Sequence, residues 1–308
     1  MKKLVLIDGN AIIHRAYHAL PPLNDRKGQP TNAVYGFFSM LFKIIQDLRP
    51  ENLIVCFDKK APTFRKQMYV GYQAKRPKMS DDLVPQIEVV HRVLDAAKIV
   101  HFGIDGYEAD DLIGTLSKQG VEAGMEVIIV SGDRDLLQLV NSHVLILAPV
   151  TGITNMTLFD ENKIKEKYSL TPKQIIDYKA LAGDSSDNYP GVSGIGPKTA
   201  SDLLNEYHDL ENLYAHLSKL PNNLSEKLAE DAEAAALAKK LATIITDAPL
   251  SFNEEDCMVS RIDSTGLKKE FEKLNFNSLL KRLPQLEPKT VVDNKSKDKK
   301  SDNQMSLL

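Results

Sequence analysis

The stretch Lys3-Leu4-Val5-Leu6-Ile7-Asp8-Gly9-Asn10 decides the fold. Its apolar run is continuous rather than alternating, as in a strand buried on both faces of a parallel sheet. The run stops at Asp8, which makes it too short for the apolar region of a signal peptide despite the preceding lysines. Two more runs follow the same plan. Leu53 to Phe57 ends in Asp58, and Glu126 to Val130 ends in Ser131-Gly132-Asp133. Between and after them lie helical patterns over 32–48, 82–97 and 107–119, a short helix over 133–139 and a further strand from Val144 to Leu147. In 32–48, Phe37, Met40, Leu41, Ile44, Ile45 and Leu48 share one face. Apolar strands alternating with amphipathic helices define the α/β class, with a mostly parallel central sheet flanked by helices.

Beyond residue 160 no further strand is expected. Helical patterns over 160–167, 172–181, 197–206, 223–246 and 266–282 describe a C-terminal helical lobe. The expected organisation is an α/β core over 1–160, a helical lobe over 161–286 and a polar tail over 287–308 of the composition that does not build a core. The 308 residues carry 39 basic and 42 acidic side chains, a net charge of −3 that by itself disfavours a nucleic-acid partner. Their distribution reverses that: Lys59, Lys60, Arg65, Lys66, Lys75, Arg76 and Lys78 follow one another with no acid between them. Two cysteines, Cys56 and Cys257, are too few for a disulfide framework or a cysteine zinc site. No run approaches the length needed to span a bilayer, and a cytoplasmic location is expected.

In open α/β sheets, sites form outside the carboxyl ends of the strands, so Asp8, Asp58 and Asp133 are expected to converge. Further acids stand at predicted helix starts: Glu108, Asp110 and Asp111 in Gly106-Tyr107-Glu108-Ala109-Asp110-Asp111, and Asp135 two residues after Asp133. Asp184 and Asp187 stand three apart in Gly183-Asp184-Ser185-Ser186-Asp187-Asn188. Singly, such residues read as helix caps and dipole partners. Together they would repel unless paired with basic residues or with hard cations, and oxygen ligands favour Mg²⁺ or Mn²⁺. A two-metal site, with ions about 3.5–4 Å apart, suits phosphodiester hydrolysis with water as the nucleophile. His14 and His18 read as structural.

The segment Gly191-Val192-Ser193-Gly194-Ile195-Gly196-Pro197-Lys198-Thr199-Ala200 reads as tight turns leading into a helix with Pro197 in its first turn. Free N–H groups at that helix start, beside Lys198, offer a phosphate site.

These motifs resemble the 5′-nuclease (flap endonuclease) family, and within it the N-terminal 5′→3′ exonuclease domain of bacterial DNA polymerase I. LIDGN, FDKKAPTFR, GYEADD, SGDRDLLQL, LAGDSSDNYPGVSGIGPKTA and FNSLLKRL carry the resemblance from Met1 to about Leu283. It implies a PIN-like 5′-nuclease fold whose helical lobe holds a helix–three-turn–helix over 191–205. It also implies a two-metal nuclease acting on DNA with 5′ flaps, nicks or RNA primers. Asp8, Asp58, Glu108, Asp110 and Asp111 correspond to a first-metal group, Asp184 and Asp187 to a second, with Asp133 and Asp135 between. Arg15 matches an arginine that contacts the substrate phosphate. Residues 59–82 correspond to an arch over the single-stranded 5′ end, where Arg65 would meet phosphate and Tyr72, like Tyr69, would stack on bases. Where relatives carry a phosphate-stabilising lysine this chain has Gln73, leaving Lys75 or Arg76 to supply the charge. Gly194, Gly196, Lys198 and Thr199 fall on the duplex-binding element, where relatives hold K⁺ on backbone carbonyls. A monomer is the family's default.

The ending Gln304-Met305-Ser306-Leu307-Leu308 resembles a peptide that binds the bacterial sliding clamp, with Gln304, Leu307 and Leu308 as anchors on a tether. That peptide leads to the expectation of a stand-alone protein rather than a truncated polymerase. Two other functions compete with the nuclease: a DNA-junction binder that turns over poorly because of Gln73, and a PIN-like ribonuclease. Metal-dependent cleavage of a 5′ flap separates the first, and the duplex-binding element argues against the second.

Overall fold

The computed structural model describes residues 1–152 and 155–283. The expected tail, with Gln304, Leu307 and Leu308, lies outside the described residues. In chain order the elements are β1 (Lys3–Asp8), α1 (Gly9–Ala19), α2 (Asn32–Leu48), β2 (Asn52–Cys56), α3 (Phe64–Met68), α4 (Val84–Ala96) and β3 (His101–Phe102). There follow α5 (Ala109–Glu122), β4 (Glu126–Val130), a 3₁₀ turn (Asp135–Leu139), β5 (Val144–Thr151) and β6 (Asn155–Phe159). The remaining helices are α6 (Glu161–Tyr168), α7 (Gln174–Ala182), α8 (Pro197–Tyr207), α9 (Leu210–Ala215), α10 (Asn222–Glu230), α11 (Ala232–Ala242), α12 (Ser264–Lys273) and α13 (Asn277–Leu280).

One sheet of six strands runs in the order β3-β2-β1-β4-β5-β6, parallel except for the antiparallel edge strand β6. Central β1 is buried from Leu4 to Asp8, which is why its sequence is a continuous apolar run. Successive side chains leave it on opposite faces. Leu4 and Leu6 pack into a core shared with α5 and with helices α7 to α11. Val5 and Ile7 pack into a second core built on α1, α2 and α4.

Several expectations are corrected. Strands β3 and β6 were not expected, and the helix expected over 133–139 is a 3₁₀ turn. The helix expected over 223–246 divides at Asp231, whose carboxylate accepts from the N–H of Ser193 at 2.6 Å. The one expected over 266–282 divides at Asn275, in the left-handed region with φ of 61°. Residues 264–283 also do not belong with the helical lobe. Phe271 meets Phe38 and Phe42 of α2 edge-on, with ring centroids 5.4 and 5.8 Å apart, so the chain returns to the far face of the sheet. Burial of these rings outweighs continuation of the lobe, since each large aromatic side chain removes much apolar surface from water.

Candidate active site

Parallel register brings the strand ends level. Asp8 lies opposite Cys56, two residues before Asp58, and Ile7 lies opposite Val130, three before Asp133. Asp8 caps α1, accepting from the Ala11 N–H at 2.9 Å, and its second oxygen accepts from the Ser131 hydroxyl at 2.7 Å. Ser131 in turn accepts from the Asp133 N–H at 3.0 Å, which ties the β1 and β4 ends together. Asp58 accepts from the Ala109 N–H at 2.7 Å and from the Asn10 amide at 3.0 Å, so the start of α5 is pinned to the end of β2. Each acid thus has a structural duty at a helix start or strand end and is oriented by it.

Among the described residues no lysine or arginine pairs directly with these strand-end acids, although the charges of Lys179 and Arg76 reach Asp133 and that of Arg76 reaches Asp58. Burial, opposed by the Ala11 and Ser131 hydrogen bonds and aided by the Asp58 and Asp133 charges, pushes the Asp8 carboxyl up to about 7. Burial and the nearby Asp133, Asp8, Asp58 and Glu108 push Asp110 well above the usual carboxylate range. Both shifts mark a site that gains by binding a cation.

The second group is tighter. Oxygens of Asp135, Asp184 and Asp187 lie within 4.8 Å of one another, the one such group among the described residues. The donor set is oxygen only, so it fits a hard divalent cation. Asp135 stands two residues after Asp133, its N–H donating to the Asp133 carboxylate at 2.9 Å. Asp184 follows α7 and orients the N–H groups of Ser186 and Asp187 at 2.7 and 3.2 Å. Gly183 and Gly191 make this placement possible. Gly183 has φ of 72°, and a Cβ there would stand 2.5 Å from the Gly191 nitrogen, so the loop closes backbone against backbone.

Three site expectations are corrected. Asp111, expected among the metal acids, is fully buried with both oxygens engaged by Arg65, at 2.7 and 2.8 Å, and by the Ile245 N–H at 3.0 Å. Arg65, expected on DNA, is 2% exposed and also donates to the carbonyls of Leu241 and Thr243, both at 2.8 Å. A guanidinium offers five donors in a rigid fork, and here that fork knits α3 to α5 and to the end of α11. Tyr72, expected to stack on bases, is 4% exposed. Its ring stacks on Tyr189, and its hydroxyl lies 3.0 Å from Glu108 and 3.3 Å from Asp187.

Of the two cations offered in place of the family lysine, Arg76 reaches the acids, with Nη2 2.7 Å from Asp187 Oδ1. Lys75 is exposed. Gln73 adopts a left-handed φ of 57°, and its N–H donates to the Asp187 carbonyl at 2.8 Å, which turns the following residues toward the site. Arg15, on α1, donates to the Gly152 carbonyl at 2.7 Å. Gly194, Gly196 and Lys198 are exposed at the start of α8 and Thr199 is half-buried. No side chain caps that start.

Sequence reasoning missed Lys179. From the last turn of α7 its ammonium pairs with Asp135 and, at 2.6 Å, with Asp184. Burial raises the Asp184 carboxyl, but Lys179 and the bonds from Ser186 and Asp187 outweigh it and hold the group at about 2. A lysine five residues before an acid carries no motif, and its link to Asp135 spans a gap that local sequence does not reveal.

Comparison with known proteins agrees with this architecture. Residues 3–169 match the model of the 5′-3′ exonuclease N-terminal resolvase-like domain, and residues 170–265 that of the 5′-3′ exonuclease C-terminal SAM fold. A 5′-3′ exonuclease of Aquifex aeolicus is 40% identical over 93% of this chain and 96% of its own length. DNA polymerase I of Bacillus subtilis is 43% identical over 92% of this chain, which spans 32% of that protein. The solved structure of T5 5′-exonuclease with divalent metal ions (zinc) bound superposes with a TM-score of 0.66 at 21% identity, covering 89% of this chain and 99% of that one. The chain belongs to the 5′-3′ exonuclease family, whose members are phosphodiester hydrolases.

Proposed function

We propose that the chain is a metal-dependent 5′→3′ exonuclease and structure-specific flap endonuclease that hydrolyses phosphodiester bonds at DNA 5′ ends and flaps in replication and repair. One observation carries this reading: two groups of carboxylates, at the strand ends and on the α7–α8 loop, meet at one edge of the sheet through Asp133 and Asp135. Asp8, Asp58, Glu108, Asp110 and Asp133 would hold one divalent ion, and Asp135, Asp184 and Asp187 a second. The oxygen donors favour Mg²⁺ or Mn²⁺. Such ions supply a water nucleophile at neutral pH and offset charge on the leaving oxygen.

The chain's own residues bind and orient the substrate. Arg76 and Arg15 would hold the scissile region of the backbone as cations. The free N–H groups at the start of α8, with Lys198 and Thr199, would take a duplex phosphate. Backbone carbonyls of the loop before α8 are the candidate K⁺ ligands. A DNA substrate fits the cytoplasmic location expected from the sequence. Gln304, Leu307 and Leu308 remain the candidate sliding-clamp contact on sequence grounds alone, and a monomer suffices because every site residue comes from one chain.

Cleavage of a 5′-labelled flap duplex with Mg²⁺, Mn²⁺ or EDTA tests this reading. Short 5′ products near the junction are expected with either metal and none with EDTA. Asp133→Asn and Asp184→Asn should each slow cleavage about a thousandfold while flap binding persists. Full activity in both variants would remove the metal assignment.

A further inference from the structure

The two acidic groups differ in how their charge is balanced. Among the described residues, no lysine or arginine forms an ion pair with Asp8, Asp58, Asp110 or Asp133, and of the first group Glu108 alone has one, with Arg65 Nη1 at 3.3 Å. Every member of the second group has such a partner: Lys179 spans Asp135 and Asp184, and Arg76 meets Asp187. Lys179 is also the better enclosed of these cations, its side chain 12% exposed where that of Arg76 is 50% exposed.

Resting on the two-ion reading, we propose that Lys179 is the resident counter-ion of the second acidic group. Its ammonium holds Asp135 and Asp184 together before a divalent ion arrives, leaves when one binds, and so sets how tightly that position loads.

The argument is one of charge and room. Two largely enclosed carboxylates repel unless a cation stands between them, and leaving either uncompensated is costly. Lys179 meets that need without any bound ion. It projects from the last turn of α7, where the helix dipole also favours a cation. A divalent ion shared by Asp135, Asp184 and Asp187 would have to use oxygens that Lys179 already occupies. Two cations within a few ångströms of one another in a partly enclosed site repel strongly. An ammonium on a flexible four-carbon stem can swing aside while α7 keeps its place, which a rigid guanidinium fork does less readily. In the first group Arg65 meets Glu108 alone and no cation bridges two of its acids, so that group would load first. The second then loads against a resident competitor, and the folded protein tolerates its absence.

Mn²⁺ binding to the full chain without DNA, followed by calorimetry, tests this. Wild type should show a tight and a weak class of site, with Asp184→Asn abolishing the weak one. Lys179→Met should tighten the weak class on the order of tenfold and the tight class by much less, whereas Lys179→Arg should stay within about twofold of wild type. In EDTA, Lys179→Met should melt below wild type and recover more on adding Mn²⁺. Lys179→Gln gives the same readout should the methionine variant fail to fold. Two classes in wild type with the weak class unchanged or weakened in both neutral variants would overturn the role of Lys179 alone. A single class in wild type, indifferent to Asp184→Asn, would overturn the two-ion reading and this inference with it.

Discussion

Arg76 reaches from the basic segment over 59–82 to Asp187, with 2.7 Å between Nη2 and Oδ1. Lys75, its neighbour in sequence, is exposed. The two therefore separate cleanly by mutation. Arg76→Ala should lower single-turnover cleavage of a 5′ flap about a hundredfold, the scale of removing one charge-stabilising donor. Lys75→Ala should stay within about threefold, as for an exposed charge. Equal losses in the two variants would deny Arg76 the place of the missing family lysine.

Arg65 and Asp111 predict a loss of stability rather than of DNA contact. Removing either leaves the other buried without its partner, a change that costs about 3–5 kcal/mol. Thermal melting of Arg65→Met and Asp111→Asn in EDTA should show large decreases, and the double variant should be less destabilised than the sum of the two. A melting curve like that of wild type, with weakened DNA binding, would return Arg65 to the substrate surface.

Acid crowding at the strand ends predicts an unusual pH dependence of metal-free stability. The Asp8 carboxyl is raised from its ordinary value of 3.8 to about 7, and burial with the neighbouring acids also raises Asp110 well above the usual carboxylate range, so folding takes up protons there. Stability from this source is complete below the ordinary carboxylate value and is lost as pH rises through about 7. Asp184 has the opposite sign, but its lowered value of about 2 confines its effect to more acid solution. In EDTA the melting temperature should fall from pH 5 to about pH 8 through these groups. Asp8→Asn should flatten that slope, and Mg²⁺ or Mn²⁺ should restore stability at the alkaline end. A melting temperature that rises over this interval in EDTA would contradict it.

Lys198 is exposed beside the uncapped start of α8. Lys198→Ala should weaken duplex binding and reduce the slope of log affinity against log salt by about one, the signature of one lost phosphate contact. An unchanged slope would place the duplex elsewhere.

The strand-end acids were legible because each stands where an apolar run stops, and parallel pairing leaves such positions no choice but to gather. Edge strands were not. His101–Phe102 is too short to show a period, and Asn155–Phe159 mixes polar and apolar residues as an exposed edge does. Asp111 and Asp110 stand side by side in sequence, yet one turns inward to Arg65 and the other stays at the site. Only long-range packing decides between them. Tyr72 and Arg65 were misread for the same reason: a basic, aromatic segment looks alike whether its side chains face solvent or a neighbouring helix. Lys179 escaped notice because its partners lie both ahead of it and behind it in the chain.

Backbone contact between Gly183 and Gly191 leaves no room for a methyl group. It therefore locks the turn that leads into α8 against the end of α7, from which Asp184 and Asp187 hang. If duplex is gripped at α8, the grip and the carboxylates form one solid piece, like the stop and blade of a paper cutter. The distance from the held duplex to the bond that breaks is then a property of two glycines, and an alanine at either would move the cut before it weakened the grip.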